Sequence, residues 1–179
     1  NRLINTFFGI YVENGHTGVI SDNVLIGEAV EEMSSGNAIH LWYCKEIDIR
    51  SNEVRGHRDG IYLEFVDSST IVDNECTDHL RYGLHFMFSN YDTYSGNSFS
   101  RNGAGVAVMF SKKIDMHDNL FEDNWGQNSY GLLLKEIYDA NIYDNVFRRN
   151  SIGVFVEGSS RIDYRSNSFE LNGWAMRIS

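Results

Sequence analysis

Proline is absent from this chain, cysteine occurs only twice, and basic residues are in the minority. Each shortage narrows the reading. Without proline, the turns fall to 16 glycines and to abundant Asn, Ser and Asp, a composition that points to a strand-rich, turn-rich protein. The two cysteines, Cys44 and Cys76, form no CxxC pair and suggest no disulfide framework. Lys and Arg total 15 against 25 acidic residues, a formal net charge of −10. That argues against a nucleic-acid backbone or an anionic membrane as partner, and leaves cations and neutral sugars open. No apolar run approaches the roughly 20 residues of a membrane helix, and no secretory signal peptide is visible. A catalytic triad, a phosphate-binding glycine loop and zinc-ligand spacing are missing too.

What is present is a repeat. A small residue opens an alternating apolar stretch at Gly9, Ala38, Gly60, Gly83, Gly105, Gly131 and Gly153. An asparagine follows each at a constant offset of 14, at Asn23, Asn52, Asn74, Asn97, Asn119, Asn145 and Asn167. The return leg varies in length, and most turns take 22 or 23 residues. That period lies in the solenoid range, and the alternation within it is that of strands. Ile61, Leu63 and Phe65 share one parity, as do Leu84, Phe86 and Phe88, and Val106, Val108 and Phe110; this parity is expected to face inward. Equivalent strands of successive turns run the same way and must pair as parallel ladders. The expectation is an all-β, single-stranded, right-handed parallel β-helix of about seven coils. Its asparagines stack as an Asn ladder, and its opening glycines stand where a Cβ would crowd a corner. Cys76 falls in the apolar slot of Val54, Phe99 and Phe147 and reads as a core residue. The 179 residues suffice for one domain. The chain starts in mid-pattern at Asn1 and ends at Ser179 just after another copy, so residues 1–179 are expected to be one β-helix domain cut from a longer solenoid.

The candidate chemistry lies on the outward side of the first strand of each coil. One row there reads His40, Tyr62, His85, Ala107, Leu133, Phe155, and the other Trp42, Glu64, Met87, Met109, Lys135, Glu157. Aromatic, His and Met side chains on an outer face suggest a surface that takes a ligand or partner. His85 and Met87 point the same way, Met109 stacks beside Met87, and His57 and His79 sit in the corner just before. Thioether with imidazole is a ligand set that suits Cu(I). The simpler reading is that Met87 and Met109 pack beneath a loop such as the Trp125 insertion, with His85 hydrogen-bonded at its side. Arg58, Asp59, Glu64 and Lys135 lie on or beside the same face. Asp59 and Glu64 could form an acid/base pair, with Tyr62 or Trp42 stacking on a sugar ring. Ordinary ion pairs, Arg58 with Asp59 or Glu64 with Lys135, account for them more simply. Insertions at Gly27–Gly36 and Asp123–Ser129 leave the coil at the same corner and suggest the binding side.

The strings His85-Phe86-Met87-Phe88-Ser89-Asn90, Val108-Met109-Phe110-Ser111-Lys112 and Glu122-Asp123-Asn124-Trp125-Gly126, with Gly60-Ile61-Tyr62-Leu63, Tyr130-Gly131-Leu132-Leu133-Leu134-Lys135 and Asn172-Gly173-Trp174-Ala175-Met176, resemble the NosD family. The likeness covers most of the chain from Gly36 onward. It implies a periplasmic, non-enzymatic β-helix protein needed to mature the copper–sulfur centre of nitrous oxide reductase. It further implies as partners an ABC transporter of NosF (ATPase) and NosY (membrane subunit), the copper chaperone NosL and the reductase itself. The resemblance carries no ligand motif, so His85, Met87 and Met109 rest on the residue reading alone. A carbohydrate-active β-helix, lyase, hydrolase or glycan-binding module, is the alternative. Open strand edges at both ends of such a piece predict self-association.

Overall fold

The computed structural model describes residues 1–179. It contains 22 strands and no α-helix; the only helical element is a 3-10 turn, Glu32–Ser34, in the first insertion. Every strand pairing is parallel, between one coil and the next, so the chain is a parallel β-solenoid. Each coil contributes to three faces. The first face holds Ile61–Asp67, Tyr82–Met87, Ala104–Met109, Leu132–Lys135 and Ile152–Glu157. The second holds Thr70–Val72, Thr93–Ser95, Lys112–His117 and Tyr138–Tyr143. The long strand Ile39–Arg50 runs through both. The third is an eight-stranded sheet that includes Glu75–Thr77, Ser98–Ser100 and Leu120–Glu122. No helix is long and apolar enough to cross a membrane.

The interior is filled by one row per face. On the third face Val54, Cys76, Phe99, Phe121 and Phe147 are fully buried in successive coils. Phe121 and Phe147 stack with centroids 4.6 Å apart, the inter-coil step. Cys76 is thus a core residue, and burial pushes its thiol pKa up. The glycine column has a cross-coil cause. A Cβ on Gly131 would lie 2.7 Å from the Gly153 carbonyl oxygen, 3.1 Å from the Phe147 ring and 3.2 Å from Asn150 Nδ2. Gly131→Ala is therefore expected to destabilise by about 1–3 kcal/mol. Urea unfolding of the variant checks this, and an unchanged midpoint would refute it.

The corners are bent by residues at positive φ, and here the expected parity fails. Phe65, Phe88 and Phe110 (φ 54°, 51° and 53°) are not inward. The left-handed residue turns the chain, and the next residue takes the interior slot instead: Val66, Ser89, Ser111 and Ile137 are buried. The phenyl rings are left outside, Phe88 at 38% and Phe110 at 42% exposure. This conformation costs a side-chain-bearing residue roughly 1–2 kcal/mol. Asn14 and Gly158 occupy the same corner in the outer coils, as residues suited to it do.

The asparagine ladder forms and runs further than expected. Asn1 joins it, its Nδ2 donating to Asn23 Oδ1 (2.9 Å), and the chain of amide bonds continues to Asn167. A second ladder, five residues on from the first, runs through Asn102, Asn124, Asn150 and Asn172. Its upper rungs are histidines: His57 N–H donates to His79 Nδ1 (3.1 Å), and His79 N–H donates to Asn102 Oδ1 (3.0 Å).

Candidate functional site

The two outward rows on the first face have the register expected: His40, Tyr62, His85 and Ala107 align, as do Trp42, Glu64, Met87 and Met109. The first row is only partly open to water: His85, Ala107 and Leu133 are buried, and His40, Tyr62 and Phe155 are partly so. His40, Tyr62 and His85 meet edge to face at 4.7 and 4.9 Å, and Tyr82, from the preceding corner, lies 4.8 Å from His85. His85 is only 5% exposed, and neither of its ring nitrogens has a hydrogen-bond partner. Burial, with Arg81 and then Arg58 adding, pushes its pKa down to about 3, so the imidazole is neutral at physiological pH. His40 is pushed down to about 4 by burial and by Arg58. Its Nδ1 meets Asn37 Nδ2 at 3.3 Å, and Arg58 donates to Asn37 Oδ1 (3.1 Å).

Met87 and Met109 are half-buried register neighbours in the second row. Their positions are fixed from below: Ser89 Oγ donates to the Met87 carbonyl and Ser111 Oγ to that of Met109, both at 2.9 Å. The Tyr62 hydroxyl lies 3.3 Å from Glu64 Oε2 and 3.9 Å from Met87 Sδ, and it has one proton to donate between them. Burial and then the Glu64 carboxylate push its pKa up to about 12.

The remaining candidates separate from this cluster. His57 and His79 are rungs of the second ladder, with ring centroids 6.3 Å apart. Accepting from His57 N–H occupies His79 Nδ1. Trp125 stands 64% exposed, 3.7 Å from where a Gly173 Cβ would lie. Trp42 meets Tyr43 edge to face at 5.0 Å. Asp59 is fully buried between Arg58 (3.7 Å) and Arg81 (4.0 Å), and Arg81 also reaches Glu32 of the first insertion (3.7 Å). Burial raises the Asp59 pKa despite both guanidiniums. Lys135 pairs with Glu157 (3.3 Å), not with Glu64 across coils, because Met87 and Met109 stand between them in the row. The reading of the sequence missed Asn37, Arg81 and Tyr82. Their signal was position, one corner before the face, next to residues already singled out.

No group of three or more His, Cys, Asp and Glu side chains is arranged to hold a metal. Both cysteines are buried inside the coil. The register sets soft or borderline donors beside one another on adjacent strands: one neutral imidazole with unpartnered nitrogens, His85, and two thioethers, Met87 and Met109. Those fit Cu(I) and not a hard cation.

A sequence profile described as "periplasmic copper-binding protein (NosD)" matches residues 22–179. The chain belongs to the NosD family. No curated protein matches the sequence. Among solved structures, this NosD chain is similar to the periplasmic alginate epimerase AlgG, with 16% identity over 94% of this chain and 49% of that one, at a TM-score of 0.72. It is also similar to the A-module of the Azotobacter vinelandii mannuronan C-5 epimerase AlgE6 (15% identity, 92% and 55% covered, TM-score 0.66). A third is DFA-IIIase from Arthrobacter chlorophenolicus A6 without its lid (9% identity, 89% and 51% covered, TM-score 0.60). At these identities the likeness is one of fold. The chain spans about half the length of these structures.

Proposed function

We propose that this chain is a periplasmic, non-enzymatic accessory protein that handles Cu(I) as cargo during maturation of the copper–sulfur centre of nitrous oxide reductase. It acts with an ABC transporter of NosF/NosY type, a NosL-type copper chaperone and the reductase. The family's description supports copper and the periplasm. The observation that carries the reading to residues is His85: buried, neutral, with both nitrogens unpartnered, two residues from Met87 and one coil from Met109. In this reading the half-buried Met87 and Met109 and the neighbouring His85 supply the thioether and imidazole donors for the ion. Glu64 keeps the Tyr62 proton away from Met87 Sδ and so leaves the thioether free to bind.

Anaerobic Cu(I) titration against a competing chelator tests this, on the parent chain and on a Met87→Ala, Met109→Ala variant. Binding that weakens by about 100-fold or more in the variant supports the site; about 2.7 kcal/mol is then lost. No binding by the parent, or equal binding by both, refutes it. The carbohydrate-active alternative draws support from the solenoid shared with two epimerases and DFA-IIIase. Against it, Asp59 is sealed between two arginines and offers no acid/base partner to Glu64 in an open groove.

A further inference from the structure

The turn that joins the first face to the second carries four aromatic rings in a row: Tyr43, Phe65, Phe88 and Phe110. They stack at 4.6, 5.2 and 5.2 Å, with planes 10–13° apart. All four are bulky residues at positive φ, a conformation that disfavours them. Nothing in the core requires them there, since the residue after each fills the interior. Phe65, Phe88 and Phe110 form one wall of an open groove of about 550 Å³, whose remaining lining is Asn90, Ser111, Lys112, Glu136 and Tyr138.

Two features define what fits. The rings cover one another's inner faces and leave a free face only at the two ends of the stack, so most of the wall is a continuous apolar edge rather than a platform for sugar rings. The charge is local. All four lysines of this acidic chain lie on or beside this turn. Lys45, Lys113 and Lys135 are each within 4 Å of a carboxylate; Lys112, in the groove, is not. Glu136, the one carboxylate of the lining, accepts from the Tyr138 hydroxyl (3.4 Å); an apolar ligand whose negative group reaches Lys112 complements that arrangement, while the net charge of −10 repels such a ligand elsewhere on the molecule.

We propose that this groove docks an extended segment of a partner protein carrying apolar side chains and a carboxylate, the apolar groups against the Phe65–Phe88–Phe110 edge and the carboxylate on Lys112. An extended chain advances about 3.3 Å per residue, so four or five residues span the stack. The proposal does not depend on copper binding at Met87 and Met109.

The test uses fluorescence anisotropy with a labelled peptide of alternating Leu and Glu, titrated with the full chain. Saturable binding is expected, weaker by about tenfold for an alternating Leu and Lys peptide and for Lys112→Glu, a loss of about 1.4 kcal/mol. A Phe65→Asn, Phe88→Asn, Phe110→Asn variant should lose binding without losing thermal stability, because Asn tolerates the left-handed corner. Three results overturn the proposal: no saturable binding by the parent chain; equal binding by the triple variant; or competition by a neutral hexasaccharide, which would make the groove a glycan site. Sedimentation showing a parent dimer that the triple variant dissolves would give the stripe to a second copy, and would overturn it as well.

Discussion

Asn97→Ala is expected to lower the stability of this protein by about 2–4 kcal/mol, a large share of the total for a domain this size. The side chain is buried and used completely. Its Oδ1 accepts from Asn74 N–H (2.9 Å) and from Asn74 Nδ2 (3.0 Å). Its Nδ2 donates to the Ile71 carbonyl (2.8 Å) and to Asn119 Oδ1 (3.0 Å). Truncation leaves Asn74 N–H buried and unpaired, at about 1–3 kcal/mol, and takes from the Ile71 carbonyl the second of its two donors, the first being the strand partner across the ladder, at about 0.5–1.5 kcal/mol more. Asn74 Nδ2 keeps its bonds to the Ile49 and Val72 carbonyls, and Asn119 Oδ1 keeps the Asn97 backbone donor, so the damage is confined to those two groups. Asn141→Ala, on the exposed side of the second face, is the control and should change stability by under about 0.5 kcal/mol. Equal urea midpoints for the two variants would refute a structural role for the ladder.

Acidification should unfold the protein through its histidines. His79 and His85 are pushed down to about 3 and His40 to about 4, each chiefly by burial, and His57 is lowered as well. Between the ordinary histidine pKa near 6.5 and these folded values, the unfolded chain binds more protons than the native one, so stability falls as pH falls. At pH 4.5 a histidine with a folded pKa near 3 loses roughly 2–3 kcal/mol. The second ladder shows why. His79 Nδ1 accepts from His57 N–H, and His57 Nδ1 meets the Arg55 carbonyl (3.0 Å), which fixes it as a donor. Protonation of His79 would turn its acceptor into a donor facing an N–H. The other nitrogen of each ring, Nε2, is buried without a partner. Asp59 and Asp92, whose pKa values burial raises, act with the opposite sign and soften the slope. The variant His57→Asn, His79→Asn restores the residue used lower in the ladder. It should retain the fold at pH 7 and flatten the dependence of unfolding free energy on pH between about 6.5 and 4.5. An unchanged slope would assign the acid sensitivity elsewhere.

Much of this was legible because a solenoid repeats. The offset of 14 between the small residue and the asparagine appears in every coil, so one column read correctly is every column read correctly. The second ladder was legible in principle, at five residues past each first-ladder asparagine. Histidine at 57 and 79 broke its pattern, and those two residues read instead as metal ligands. The parity of Phe65, Phe88 and Phe110 misled for a different reason. Alternation identifies a face only while the backbone stays extended, and phenylalanine gives no sign that it occupies a left-handed corner.

By itself, the sequence determined the period, the parallel pairing, the order of the outward rows and the stacking of asparagines, because these follow from spacing along the chain. Only the tertiary structure decided which outward side chains see water. Tyr82 folds over His85, Arg58 and Arg81 enclose Asp59, and Trp125 stands beside Gly173. Those outcomes depend on side chains from different coils and corners meeting across the surface. Burial, and with it the charge state of His85 and Asp59, is a property of that meeting and not of any stretch of sequence.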